Sequence, residues 1–234
     1  MKLPLWYPPI LTYHCVLPIA RGNTPTVSVD TFEKQMRMLR NYWNPVSFEQ
    51  AIDALAREKW PDRGVVITFD DGTEDNFTHA FPVLAREKIP AIIFVITGAI
   101  GTPGFLTAAQ IRTMRDAGID FGSHSDQHDY LPSVKSEQAA QSLNNSRKAL
   151  EQILEKPVRF ISYPAGGHTA EIVKSTRDAG YAAACTTNRG FKKFPVDPFA
   201  LRRITVHEQI KSRLALALLC SGYGSINRRL RPPH

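Results

Sequence analysis

Two adjacent acids close an apolar run in Val65-Val-Ile-Thr-Phe-Asp-Asp-Gly72, and two histidines stand four residues apart in His124-Ser-Asp-Gln-His128. If residues 65–69 form a buried strand, Asp70 and Asp71 sit at its carboxyl end, where the reacting groups of α/β proteins collect. Successive side chains at a strand end point in different directions, so one carboxylate can hold a cation while the other faces a water. Asp-Asp-Gly is by itself also an ordinary strand-to-loop turn. The histidines weigh against that plainer reading. Two neutral imidazoles and a carboxylate form a common ligand set for a catalytic zinc and leave positions for water and substrate. The i, i+4 spacing predicts that His124 and His128 converge on one side of a helical turn, with Asp71 completing the set. Zinc is the first expectation, and cobalt, nickel, iron or manganese suit the same donors. Two such groups at the ends of two strands of one sheet share a rim, so the acids and histidines read together as one site.

The elements that must position these residues are legible as short β-branched runs alternating with amphipathic stretches, the pattern of parallel strands joined by helical crossovers. Strands are expected at 10–13, 65–69, 91–96, 119–122, 158–163 and 181–186. Helix starts are expected where Asp30 precedes Glu33, Ser47 precedes Gln50 and Thr107 precedes Gln110, each an N-cap with a reciprocating side chain three residues on. A long crossover helix is expected over 136–154, and another over 169–179 with Gly180 as its left-handed terminator. Continuous apolar strands such as Ala91-Ile-Ile-Phe-Val-Ile96 imply burial on both faces. The pattern specifies an α/β fold and leaves a barrel and a doubly wound sheet both open.

With 234 residues, 43% of them hydrophobic, the chain is long enough for one substantial core, and one domain is expected over 1–234, with 208–234 a C-terminal helix and basic tail. The formal charge of +7 is spread along the chain without a basic block interleaved with aromatics, so no nucleic-acid partner is expected. Cys15, Cys185 and Cys220 are too widely spaced for a metal pair and odd in number, which suits a reducing compartment. The proline-interrupted start does not read as a secretory signal, which points to the cytoplasm; a signal already removed would leave the same appearance. No run of eighteen apolar residues exists. Leu214-Ala-Leu-Ala-Leu-Leu-Cys220 followed by Arg228, Arg229 and Arg231 is compatible with peripheral membrane contact through the tail, and a last barrel helix with a solvated end is the plainer account.

Thr68-Phe-Asp-Asp-Gly72 and His124-Ser-Asp-Gln-His128 together resemble the first two motifs of the polysaccharide deacetylase family, also known as the NodB-homology or carbohydrate esterase family 4 domain, over residues 10–207. The resemblance implies a distorted (β/α) barrel, Asp70 as general base, and Asp71, His124 and His128 as ligands of a divalent metal. It also implies an N-acetylated carbohydrate substrate that releases acetate and a free amine. Arg159-Phe-Ile-Ser-Tyr-Pro164 resembles the third motif, which implies that the backbone N–H of Ala165 helps to hold the oxyanion. Arg159 either orients Asp70 or caps a strand on the surface. The fourth and fifth motifs have no clean counterpart: Cys185-Thr-Thr-Asn-Arg-Gly190 and Leu201-Arg-Arg-Ile-Thr-Val-His207 stand in their place. Leu11-Thr-Tyr-His-Cys-Val16 resembles the branch acting on poly-N-acetylglucosamine, in which a histidine after the first strand is the general acid. His14 is therefore the expected acid and His207 the second choice. His79 and His168 carry no motif and are expected to be structural and solvated, respectively. Two other functions share the fold: an amidohydrolase opening cyclic imides or ureides, and a non-catalytic carbohydrate-binding protein.

Overall fold

The chain is described by a computed structural model over residues 9–20, 25–187 and 196–220. In order, it forms β1 (Ile10–Tyr13), β2 (Cys15–Leu17), β3 (Thr26–Ser28), α1 (Val29–Tyr42), β4 (Asn44–Pro45), α2 (Phe48–Ala56), β5 (Gly64–Phe69), α3 (Phe81–Glu87), β6 (Ala91–Val95), α4 (Ala108–Asp116), β7 (Asp120–Ser123), α5 (Ser136–Leu154), β8 (Phe160–Ser162), α6 (Ala170–Asp178), β9 (Ala183–Cys185), β10 (Ile204–Thr205) and α7 (Arg213–Cys220). The main sheet runs β10-β1-β5-β6-β7-β8-β9, every pair parallel, and β4 pairs the start of β5. Helices α3 to α6 are the crossovers that parallel neighbours require. The sheet curls into a half-barrel whose edges approach each other across residues 201–205. Leu201 bridges to Cys185 of β9, while Ile204 and Thr205 pair with Leu11 and Thr12 of β1. This is the distorted (β/α) barrel that the motif resemblance implies.

Strand alternation sorts the side chains. Leu11, Tyr13, Ile67, Phe69 and Ile93 pack outward into the layer shared with the helices, whereas Ile10, Val66, Ile92, Phe94 and Phe160 pack inward with Phe48 and Ala51 of α2. Phe48 lies edge-on to Phe94 and Phe160 at centroid distances of 5.8 and 4.9 Å, forming an apolar floor. Towards the carboxyl ends the same inward rows turn polar, with Thr12, Thr68, Asp70 and Ser162 all buried. Buried polar groups in such numbers need partners among themselves.

Ser47 with Gln50 and Thr107 with Gln110 form the reciprocal caps expected of them. Helix α1 differs: its N-cap is Ser28, which accepts from the Thr31 N–H, and Asp30 lies inside the first turn, where its charge suits the helix dipole. The shift has a long-range cause. The Glu208 carboxylate accepts from the Ser28 N–H (2.8 Å), the Ser28 hydroxyl (3.1 Å) and the Thr31 hydroxyl (2.8 Å), and pairs with Lys211 at 2.9 Å. The long helix spans Ser136–Leu154, and Gly180 ends α6 with φ +88°. His79 lies in a wide helical turn over Asn76–Ala80. In α7, Leu216 and Cys220 are buried while Leu214 and Leu218 are exposed. The basic residues Arg228, Arg229 and Arg231 lie outside the described residues.

Glu208 ties the start of α1 to the segment after β10 through its charge. Partial burial would raise its carboxyl, but the Ser28 N–H, Lys211 and the two hydroxyls outweigh that and pull it down to about 2, from an ordinary 4.5. Its stabilisation is therefore complete above pH 4.5 and is lost as pH falls through about 2. Thermal melts of Glu208→Gln at pH 7 should show a loss of about 1.5–3 kcal/mol, as for hydrogen bonds to a charged group. The gap from the unaltered protein should close as pH approaches 2; a constant gap from pH 7 to pH 2 would exclude the charged interaction.

Candidate active site

Parallel register sets the rim. Phe69 pairs with Tyr13 on one side and Ile93 on the other, and Val95 pairs with Ser123. The next residues outward, His14, Asp70, Asp71 and His124, therefore lie close to one level on β1, β5 and β7. Bonds from Asp70 N–H to Tyr13 O (3.1 Å), Ile96 N–H to Asp71 O (3.3 Å) and His124 N–H to Val95 O (2.8 Å) extend the ladders to that level.

Asp70 and Asp71 then part company. Asp70 continues the inward row and is 1% exposed, whereas Asp71 adopts φ +73° and is followed by Gly72 at φ +70°. A Cβ on Gly72 would stand 3.0 Å from the Val95 side chain, so this turn needs glycine for space as well as conformation. The left-handed turn brings Asp71 Oδ1 within 3.5 Å of His124 Nε2 and 3.6 Å of His128 Nε2. Residues 124–128 are an irregular loop, not the helical turn that the spacing predicts. Left-handed Ser125 and His128, φ +63° and +59°, make the convergence instead, and the rings come to 4.9 Å between centroids. The Ser125 hydroxyl accepts from the His128 N–H, and Ser123 Oγ accepts from the Ser125 N–H, each at 3.1 Å, which pins the loop. Among the described residues, four of the eight non-glycine residues with positive φ, Asp71, Ser125, His128 and Ala165, lie on this rim. Strain of that kind gathers where a site must be held in shape.

The donor set fits a metal. Ligand atoms of Asp71, His124 and His128 all lie within 4.8 Å of one another. Bonds of about 2.0–2.2 Å at tetrahedral angles separate donors by roughly 3.3–3.6 Å, which is the spacing of Asp71 from each histidine. His124 Nδ1 lies 2.7 Å from the Ser162 carbonyl, so it carries the proton and leaves Nε2 as the free donor. Burial pushes the His124 imidazole below its ordinary range despite the opposing charges of Asp70 and Asp71. The neutral, ligating form is thus favoured.

Asp70 is answered by a residue that no motif pointed to. Arg203, 2% exposed, donates Nη1 to Asp70 Oδ1 at 2.7 Å and Nη2 to Oδ2 at 2.6 Å. The same guanidinium reaches Thr68 Oγ1 (3.1 Å), Ser162 Oγ (2.7 Å) and the Thr186 carbonyl (3.2 Å), and its carbon sits 5.6 Å over the Phe94 ring. Burial alone would raise the Asp70 carboxyl; the Arg203 charge and hydrogen bonds, with smaller contributions from His124 and His14, instead hold it well below the usual carboxylate range. Arg203 takes one lone pair from each oxygen and the Ser162 hydroxyl donates to Oδ2 at 3.5 Å, which leaves the second lone pair of Oδ1 for a water.

Residues 57–184 match the family model for polysaccharide deacetylase. The chain belongs to the polysaccharide deacetylase family. Bacillus subtilis YxkH is 33% identical over 200 residues, covering 85% of this chain and 71% of YxkH. Staphylococcus aureus poly-beta-1,6-N-acetyl-D-glucosamine N-deacetylase is 30% identical over 156 residues, which is 60% of this chain and 54% of that protein. The chain thus spans about half the length of the staphylococcal relative. The Streptococcus pyogenes deacetylase PplD, solved in complex with acetate, superposes with a TM-score of 0.87 at 25% identity, over 93% of this chain and 99% of that one. IcaB from Ammonifex degensii superposes with a TM-score of 0.80 at 28% identity, over 89% and 95%.

His14 follows β1 beside Asp70, and its Nδ1 is buried with no hydrogen-bond partner among the described residues. Val206 N–H donates to Thr12 O at 3.0 Å, so His207 continues β10 one strand further from Asp70 than His14 does. Ala165 holds φ +50° in the turn Pro164–Gly166; Thr187 Oγ1 donates to its carbonyl at 2.9 Å. Its N–H bonds to no described residue. His168 stacks on Tyr163 at 5.5 Å and lies 3.1 Å from the Gly166 carbonyl. Arg159 does not reach Asp70. It precedes β8, whereas Asp70 follows β5, so the two lie at opposite ends of the barrel; Arg159 pairs with Glu49 and lies over Phe160, its side chain 47% exposed. Arg203 has the role offered to Arg159, and its one sequence signal is its position two residues after Leu201, in phase with a buried strand residue. An open cleft of about 490 Å³ starts at Asp71 and His128 and runs over Thr73, Ile96, Ala99 and Phe105.

Removing one partner of a buried ion pair leaves the other charge uncompensated and costs about 3–5 kcal/mol. Urea denaturation of Arg203→Met should show a loss of that order, and Arg159→Ala less than about 0.5 kcal/mol, as for an exposed pair. Equal effects at the two arginines would contradict the assignment.

Proposed function

We propose that this chain is a metal-dependent N-deacetylase of N-acetylated sugars, with N-acetylglucosamine polymers as the leading substrate class. The observation that carries this is the convergence of Asp71, His124 and His128 beside a buried, ionised Asp70 on one rim. The name of the staphylococcal relative supports the sugar and the amide bond. Zinc is the metal expected first, since two imidazoles, one carboxylate and open positions suit it.

Asp71, His124 and His128 would hold the cation, which when bound would lower the pKa of a water and polarise the acetyl carbonyl. Asp70 takes the proton of the attacking water; Arg203 favours its ionised form and fixes its plane. The Ala165 N–H is available to the acetyl oxygen as its charge develops, a donor of a type worth about 3 kcal/mol. His14 gives a proton to the amine nitrogen as the C–N bond breaks, so acetate and a free amine leave together. Placement beside Asp70 favours His14 over His207 for this step.

Acetate release from poly-N-acetylglucosamine, assayed after chelation and again after zinc is restored, tests the reading. Activity should vanish and return, and ring opening of a ureide should not occur. Asp70→Asn should keep metal by elemental analysis yet lose about 10²–10⁴ in turnover, the span of general-base catalysis. His128→Ala should lose the metal as well. Full activity in chelated protein would overturn the proposal. His14→Ala should fall at least tenfold further than His207→Ala, and the reverse order would move the acid to His207.

A further inference from the structure

Tyr130 is a large aromatic that the catalytic scheme leaves unused. It is 50% exposed, two residues beyond His128, and its hydroxyl bonds to no described residue. Its backbone carbonyl accepts from both the N–H and the hydroxyl of Ser133, each at 2.8 Å, so the loop carrying it is fixed. The ring rests on Gly167, where an added Cβ would come within 2.1 Å of Tyr130 Cε2. Gly167 has φ −71°, a conformation any residue adopts, so the glycine serves to admit the ring and not to make a turn. Gly167 itself lies two residues from Ala165.

Strand order gives this ring a definite place. The metal ligands come from the ends of β5 and β7, the open cleft lies over the β6 connection between them, and the Gly167 seat belongs to the β8 connection beyond β7. Cleft and ring therefore lie on opposite sides of the β7 loop that carries His128. The cleft is lined by an aromatic side chain, Phe105, together with the polar residues Thr73, Thr102 and Gln127, and its 490 Å³ is of the size of small-molecule sites. A pyranose has an apolar C–H face bounded by hydroxyls, which suits both an aromatic platform and such a cleft.

We propose that Tyr130 is a sugar-stacking platform, and that the acetylated unit is recognised within a chain, one neighbour on Tyr130 and the other in the Phe105 cleft. This rests on the deacetylase reading above. It makes substrate length, beyond the single sugar, a determinant of the rate. A docked ring contributes binding energy without touching the reacting atoms, so Tyr130 acts on specificity.

The test compares metal-loaded wild-type protein, Tyr130→Ala, Tyr130→Trp and Gly167→Ala with N-acetylglucosamine, its dimer and its pentamer, by acetate release and by calorimetric titration. Wild-type kcat/KM should rise with chain length. Tyr130→Ala should flatten that rise, chiefly through KM, by roughly twofold to tenfold on the pentamer, the worth of one aromatic contact. Tyr130→Trp should restore it, and Gly167→Ala, which displaces the ring while keeping it, should resemble Tyr130→Ala. An equal loss on monomer and pentamer would make Tyr130 a loop support and overturn the platform, as would an unchanged length dependence. Tighter pentamer binding by wild-type than by Tyr130→Ala with no acetate released would keep the platform and overturn the deacetylase reading. Acetate release with identical pentamer binding in both would do the reverse, and no binding of any sugar would overturn both.

Discussion

An ionised carboxylate that is 1% exposed can persist only if the protein replaces the water it has lost, and Asp70 obtains most of that replacement from one guanidinium, with the Ser162 hydroxyl beside it. The planar fork of Arg203 matches both carboxylate oxygens at once, which an ammonium could not do. Its remaining donors are spent on Thr68, Ser162 and the Thr186 carbonyl, so the pair ties β5, β8 and the end of β9 together. The inward rows of the barrel can turn from apolar to polar near the rim because this pair satisfies them. Below it the Phe48, Phe94 and Phe160 floor excludes water, which makes the electrostatics above it stronger.

The same arrangement separates two neighbouring acids into different environments. Asp70 stays with the strand and faces Arg203; Asp71 leaves the strand through a left-handed turn and faces two histidines. One residue of sequence thus divides a carboxylate held by a guanidinium from one that faces two imidazoles. Ser162 joins the two environments, since its hydroxyl meets Arg203 while its carbonyl orients His124. The β7 loop is in turn stitched to the β6 connection through Thr97 and Asp126, which are 2.8 Å apart, and to α5 through Ser142. The candidate ligands sit on irregular backbone, and neighbouring crossovers hold that backbone in place.

Much of this was readable before folding was considered. The acids and the histidines each fall within a stretch of a few residues at a strand end, so type and spacing were enough to put them on one rim, and strand–helix alternation was enough for a parallel α/β fold. The family followed from the same two stretches. Arg159 matches the motif through its distance to Pro164, although the expected strand 158–163 puts it at the strand start, away from the rim that carries Asp70. The helical turn expected over 124–128 failed because Ser125 and His128 take left-handed conformations, which neighbouring loops impose and local spacing does not encode.

Sequence alone determined the chemical types at the site, the rim they occupy and the family to which they belong, because those depend on contacts among near neighbours along the chain. Only the tertiary structure decided which arginine answers Asp70. Arg203 lies 133 residues further along and reaches it because residues 201–205 bridge β9 to β1. That meeting is a consequence of sheet curvature and closure, and a buried charge is neutralised by whatever closure brings within reach.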